Sequence, residues 1–291
     1  MNALEGLVKD EVARRTAFPV VQEGVFLAHA GVAPLPRVAV EAIHACVLAG
    51  SRAAQENPEV GATVSQARAD AARLLGAAPE EISLVGPTSL GLSMVARGLA
   101  WQPGDEVVYY AEDYPANVYP WTALAHWGVK PAPLQPEYPG VITWDVVERA
   151  LGERTRLVAL ASCHFLSGHR IDVAGIGQAL HDRGVLFSLD AIQSLGAFPM
   201  DVRYVDFLSA DSHKWLLGPC GAGIFYVKQS RKEQLAPMVL GAGNVACPEF
   251  VAQDTLSFDA GARRYEPGAL NLAGICGMGA SLRLLLDCGV E

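Results

Sequence analysis

The stretch Ser209-Ala210-Asp211-Ser212-His213-Lys214-Trp215-Leu216-Leu217-Gly218-Pro219 decides how this chain is read. It sets a lysine between an apolar run, Val205-Asp206-Phe207-Leu208, and a glycine–proline turn. A second strand-like run, Gly223-Ile224-Phe225-Tyr226-Val227, lies behind that turn. A lysine in apolar sequence resists burial unless its charge is paired or neutralised. Neutralising it is useful chemistry, because a lysine of depressed pKa is a nucleophile and forms an imine with a carbonyl. On its own, Lys214 reads as a surface residue in a strand-to-strand loop. A feature upstream changes that reading. Gly184-Val185-Leu186-Phe187-Ser188-Leu189-Asp190 is a buried-type strand closed by an aspartate, which is in position to meet a cationic ring nitrogen.

Outward from these two stretches the pattern alternates. Strands are predicted at 81–85, 105–110, 129–134, 155–161 and 185–189, with helices at 88–100, 115–127, 143–151 and 173–183. Arg156-Leu157-Val158-Ala159-Leu160-Ala161 and Val185-Leu186-Phe187-Ser188-Leu189 are apolar almost throughout. Such strands are covered on both faces by crossover helices, so the fold class is α/β: a three-layer α/β/α arrangement around a mostly parallel sheet. Before it come a short amphipathic helix within residues 1–20, a brief strand at Phe26-Leu27-Ala28-His29 running into a Gly/Pro-rich loop, and helices at about 36–50 and 60–76. Residues 1–20 are read as an N-terminal arm and 21–270 as one large domain. Residues 271–291 are read as a terminal helix with Leu272, Ile275, Met278, Leu282, Leu285 and Leu286 on its apolar side. With no element after it, that helix is expected to lead into further chain.

Composition narrows the function classes. A chain of 291 residues, just over half of them hydrophobic, buries a sizeable core. A net charge of -9 without Lys/Arg clusters argues against a nucleic-acid partner. The N-terminus is interrupted by charges and no run is long enough to span a bilayer, so no membrane partner is expected. Six cysteines without CxxC spacing point to a reduced, cytoplasmic protein, and no metal set is visible.

Four parts carry the chemistry, each at a strand end or helix start, where ligands gather in open α/β sheets. Gly86-Pro87-Thr88-Ser89 offers hydroxyls and N–H groups to a phosphate, or is an ordinary helix cap by Thr88. In Glu112-Asp113-Tyr114-Pro115-Ala116-Asn117, Tyr114 stacks on a planar ring or packs on the proline turn. Asp190, with Gln193 one short loop away, meets a protonated pyridine nitrogen, or serves as a cap or ion pair. In His213-Lys214, the lysine holds an aldehyde as an imine and the histidine donates to a phosphate. Together they are what pyridoxal 5'-phosphate needs from a protein. A nucleotide-binding α/β enzyme using the Gly86–Ser89 loop is the competing reading. It lacks both a G-x-G-x-x-G after the first strand and a Walker lysine.

These residues also carry a resemblance. The chain resembles the class V aminotransferase family, the fold-type I pyridoxal-phosphate enzymes that include cysteine desulfurases, isopenicillin N epimerase-like proteins and kynureninases. The matching stretches are Phe26-Leu27-Ala28-His29-Ala30-Gly31, Gly86-Pro87-Thr88-Ser89, Tyr114-Pro115-Ala116-Asn117-Val118-Tyr119-Pro120-Trp121, Asp190-Ala191-Ile192-Gln193-Ser194, Ser212 to Pro219, and Arg264-Tyr265-Glu266-Pro267-Gly268. The tyrosine block and the tryptophan after the lysine look most like the epimerase-like branch. The resemblance implies a pyridoxal-phosphate-dependent transferase-like large domain, acting as a homodimer on an amino acid. It implies that Thr88, Ser89 and His213 bind the phosphate and that Tyr114 stacks on the ring. Asp190 then pairs with the ring nitrogen, Gln193 approaches the ring hydroxyl, and Lys214 is the catalytic lysine. Transamination, epimerisation, elimination and desulfuration all remain open. A weakly active or inactive protein of this fold, working through binding or assembly, is the alternative.

The departures are specific. Relatives often have an asparagine near position 165 that touches the ring hydroxyl. Here the segment reads Cys163-His164-Phe165, leaving His164 or Gln193 to substitute. Asp211 stands where relatives often carry serine, and a carboxylate there is expected to face away from a phosphate. Ala269 replaces a threonine that reaches across the dimer to the phosphate. The resemblance also implies a small C-terminal domain beyond residue 291, carrying a substrate-clamping arginine and, in desulfurases, the sulfur-accepting cysteine. Cys220 is expected to be a turn residue, with His29 and Arg264 as candidates for the substrate wall.

Overall fold

A computed structural model describes residues 3–290. In chain order its regular elements are α1 (Ala3–Lys9), α2 (Glu11–Ala17), α3 (Arg37–Gly50), α4 (Pro58–Leu75), β1 (Ile82–Val85), α5 (Thr88–Gly98), β2 (Glu106–Tyr109) and α6 (Tyr119–Thr122). They continue with β3 (Lys130–Pro133), α7 (Trp144–Ala150), β4 (Thr155–Ala161), α8 (Val173–Asp182), β5 (Leu186–Asp190), β6 (Phe207–Asp211), β7 (Gly223–Val227) and α9 (Leu272–Asp287). The seven strands form one sheet in the order β1-β7-β6-β5-β4-β2-β3. Neighbours from β6 to β3 are parallel; β7 is antiparallel to both β6 and β1. Because β1 and β6 are each antiparallel to β7, β1 points the same way as the parallel strands. Every strand except β7 therefore ends at the same edge of the sheet.

Strand alternation divides the core into two layers. Val108, Val158, Leu160, Phe187, Leu189, Leu208 and Ile224 face a layer built with α4, α7, α8 and α9. Val107, Leu157, Ala159, Leu186, Phe207 and Phe225 face the layer of α5 and α6. The three-layer reading is thus met by a sheet covered on both faces. The edge strand β3 carries Pro131 and Pro133 and is half-exposed, which suits a position where no further strand pairs.

Local departures have local causes. The predicted helix in residues 1–20 is two helices, because the Asp10 carboxylate accepts from the N–H groups of Val12 and Ala13 and starts α2 afresh. Its first two residues lie outside the described residues. No strand forms at 26–29. The helix predicted at 115–127 is broken into a turn, the four-residue α6 and a 3-10 stretch, around Pro115 and Pro120. The terminal helix α9 packs on α3 and α4, burying Ile275, Met278 and Leu282.

Helix α5 sits close on β6 because residue 91 is glycine. A Cβ there would lie 2.4 Å from Ser209 Oγ, so Gly91 lets the start of α5 reach the end of β6. At the sheet's edge, Glu266 is buried and accepts from Arg68 Nη1 at 2.7 Å, Arg68 Nη2 at 3.0 Å and Leu84 N at 2.6 Å. Arg68 also donates to Ile82 O at 2.6 Å. The fork fastens α4 and the 262–268 segment to β1. Arg68→Met strands this buried carboxylate and should destabilise the fold by about 3–5 kcal/mol in urea unfolding. Arg68→Met combined with Glu266→Leu should recover part of the loss.

Candidate active site

The residues that matter follow the common edge of the sheet. Tyr114 comes after β2, Cys163 and Phe165 after β4, Asp190 closes β5 with Gln193 just beyond, and Lys214 comes after β6. All of these, with Asp113, Ala161 and Ile192, line one narrow cleft. Lys214 and Asp190, 24 residues apart in sequence, share it.

The lysine sits in a tethered turn. Ser212 N donates to Ala222 O, Leu217 N to Lys214 O at 3.1 Å, and Gly218 N to Ser212 O at 2.8 Å. Leu217 is held at φ 57°, a left-handed conformation that a branched side chain resists. Its carbonyl accepts from Ser281 Oγ of α9 at 2.8 Å. Lys214 Nζ lies 5.5 Å from the centroid of the Tyr114 ring, which is half-exposed and meets Phe165 edge-on. Burial lowers the Lys214 pKa, and the Asp190 charge acts the other way.

Asp190 is buried, and its Oδ1 accepts from Ile192 N at 3.1 Å. Burial first, and then the Asp113 carboxylate, push its pKa up to about 7; Ile192 N–H and Lys214 oppose the rise. Asp113 is itself desolvated upward. It accepts from Tyr114 N at 2.7 Å and Asn117 Nδ2 at 3.0 Å, and Asn117 Oδ1 accepts from the fully buried Trp121 Nε1. This buried chain fixes the loop that presents Tyr114.

Thr88, Ser89 and His213 form a second group that does not line the cleft. Pro87, not Thr88, is the cap residue of α5, and no side chain caps its first turn, which leaves N–H groups at the helix start. Thr88 Oγ1 instead accepts from Asp211 N at 2.9 Å, and Ser89 makes no side-chain hydrogen bond among the described residues. His213 Nδ1 is 2.8 Å from Asp211 Oδ2. These contacts join α5 to the lysine segment.

Several expectations need revising. The Gln193 amide is anchored at both ends, with Nε2 donating to Ala30 O at 3.0 Å and Oε1 accepting from Trp215 Nε1 at 3.2 Å, which leaves one N–H and one lone pair for a group in the cleft it lines. His164 is not free to replace an asparagine. Ser167 N and Oγ lie at Nδ1 and Glu112 O at Nε2, so both nitrogens are engaged outside the cleft. Arg264 is buried against Phe258 and bonded to Glu233 and Lys232, away from the cleft. His29 stacks on Trp215 at 5.5 Å beside the lysine. Asp113, Cys163 and Phe165 were missed; their only signal was position directly after β2 and β4. The Cys163 pKa is raised by burial, which keeps its sulfur in the weakly nucleophilic thiol form.

The residues present fit pyridoxal phosphate. A buried carboxylate with one oxygen unbonded among the described residues faces the same cleft as a desolvated lysine and an open aromatic face. A helix start with unspent N–H groups stands beside it.

Sequence and structure comparisons agree with this fit. Residues 25–291 match the aminotransferase class-V family, and the chain belongs to it. It is accordingly a pyridoxal-phosphate-dependent enzyme of the transferase or lyase kind, with the fold-type I architecture. Among relatives, a probable cysteine desulfurase of Methanothermobacter thermautotrophicus is 31% identical over 95% of this chain and 70% of its own length. Cysteine desulfurase CsdA of Escherichia coli is 30% identical, covering 95% and 71%. The apo structure of a cysteine desulfurase from Thermococcus onnurineus superposes with a TM-score of 0.86 at 26% identity, over 95% of this chain and 70% of that one. No helix among the described residues is long and apolar enough to cross a membrane.

Burial of Asp190 has a measurable cost. Its folded pKa lies above its unfolded one, so the stability that its proton contributes in the cofactor-free protein is fully present below the ordinary value of 3.8 and is lost as pH rises through about 7. Asp190→Asn should therefore unfold at higher urea than the parent at pH 8, with the difference vanishing near pH 4.

Proposed function

We propose that this protein breaks a bond at the α-carbon region of an amino acid, with a sulfur-containing amino acid as its substrate class. The observation that carries the reading is the single cleft shared by Lys214, Asp190 and Tyr114. The desulfurase relatives support the sulfur-containing class. Lys214 would hold the cofactor through its ε-amine, Asp190 through the ring nitrogen and Tyr114 through the ring face. Thr88, Ser89 and His213 would hold the phosphate. Gln193 acts as a strut between the Ala28–Ala33 loop and Trp215. When bound, pyridoxal phosphate supplies an electron sink for the bond that breaks in the substrate.

The chain's own residues do the rest. Asp190 would keep a negative charge beside the ring nitrogen, made effective by the burial that otherwise raises its pKa. Lys214 Nζ, with its charged form disfavoured by burial, takes a proton at the substrate α-carbon and returns it. Phe165 and Tyr114 wall one side of the cleft. The exposed apolar side chains of Val239, Leu240, Phe250 and Val251 support assembly as a homodimer.

Protein loaded with pyridoxal phosphate should show a visible absorption band that borohydride bleaches, and Lys214→Ala should lack it. Turnover assayed with cysteine, cystine, alanine and other amino acids identifies the bond cleaved, and sulfide release from cysteine is the expected result. Tight cofactor binding without turnover of any amino acid would instead favour a role in binding or assembly. Absence of the band sinks the reading altogether.

A further inference from the structure

The Asp211 carboxylate is 3% exposed at the end of β6, and it does more than close a strand. Oδ1 accepts from Ser212 N at 2.7 Å. Oδ2 accepts from Gly221 N at 3.2 Å and faces His213 Nδ1 at 2.8 Å. An ionised carboxylate only accepts, so the proton in the last contact sits on Nδ1. Nε2 is then the one imidazole nitrogen left to face a ligand. On the other side, the backbone N–H of the same residue donates to Thr88 Oγ1, so the Thr88 hydroxyl hydrogen is also left for a further acceptor. One buried residue thus holds two side chains, from α5 and from the lysine segment, at the uncapped start of α5.

We propose that Asp211 is a positioning residue of the anion site: through Nδ1 it fixes the ring orientation and tautomer of His213, presenting Nε2 to the phosphate group of the cofactor. The inference rests on the cofactor site proposed above and adds a residue that touches neither ring nor phosphate. Three hydrogen bonds, from Ser212 N, Gly221 N and His213 Nδ1, offset the carboxylate's charge, so it is tolerated beside a phosphate site. Its contribution should appear only with ligands that carry the phosphate.

The test compares binding of pyridoxal phosphate with binding of pyridoxal, the same ring without the phosphate. Asp211→Ala should weaken pyridoxal phosphate binding about tenfold, the loss of one charge-assisted hydrogen-bond arrangement. Pyridoxal binding should change less than about twofold on the same scale. Asp211→Asn, which keeps an acceptor oxygen for Nδ1, should restore most of the phosphate preference. In a His213→Ala background Asp211→Ala should add almost nothing, because the two act through one contact. Nitrogen-15 NMR of the cofactor-free protein should show His213 protonated at Nδ1, and a mixture of tautomers in Asp211→Ala. Equal losses for both ligands, additive effects of the two substitutions, or an unchanged tautomer would each overturn the proposal. A parent protein that binds neither compound would overturn the cofactor reading, and this inference with it.

Discussion

An amine and a carboxylate are forced out of water together at the ends of two adjacent parallel strands. Neither Lys214 nor Asp190 is at ease there: burial pushes the lysine pKa down and the aspartate pKa up, so each is driven toward its neutral form. A pair buried this way is a poor source of stability. It makes sense as a site prepared for a third group, one that brings a positive charge to the carboxylate and a carbonyl to the amine. The shared direction of β2, β4, β5 and β6 is what allows residues from four places in the chain to meet there.

Much of this was legible in the sequence, for identifiable reasons. The central strands β4, β5 and β6 are covered on both faces, so their apolar runs leave little ambiguity. Asp190 and Lys214 stood out because a charge next to such a run demands an explanation. The 115–127 segment, predicted as one helix, is divided because Pro115 and Pro120 interrupt the backbone ladder. The protein partners of Gln193 and the Glu112 partner of His164 are remote in sequence. Only the fold reveals that Ala30 and Trp215 anchor the amide, and that Glu112 and Ser167 occupy the imidazole.

Asp211 shows a different limit. Its sequence context suggests a carboxylate kept out of contact with a phosphate, and in the fold its oxygens are taken up by Ser212, Gly221 and His213. The Asp113–Asn117–Trp121 chain was equally invisible as a network, although its members are four residues apart. Polar residues in such chains are recognisable only once their partners are known to be buried with them.

The left-handed Leu217 joins the lysine to a distant part of the molecule. A backbone bent against its own side chain springs back unless something holds it, and here the hold comes from a serine on α9. The last helix thus works as a splint for the loop that aims the amine. Its packing on α3 and α4 ties that support to the helical layer, so loosening of α9 would reach the loop that aims Lys214.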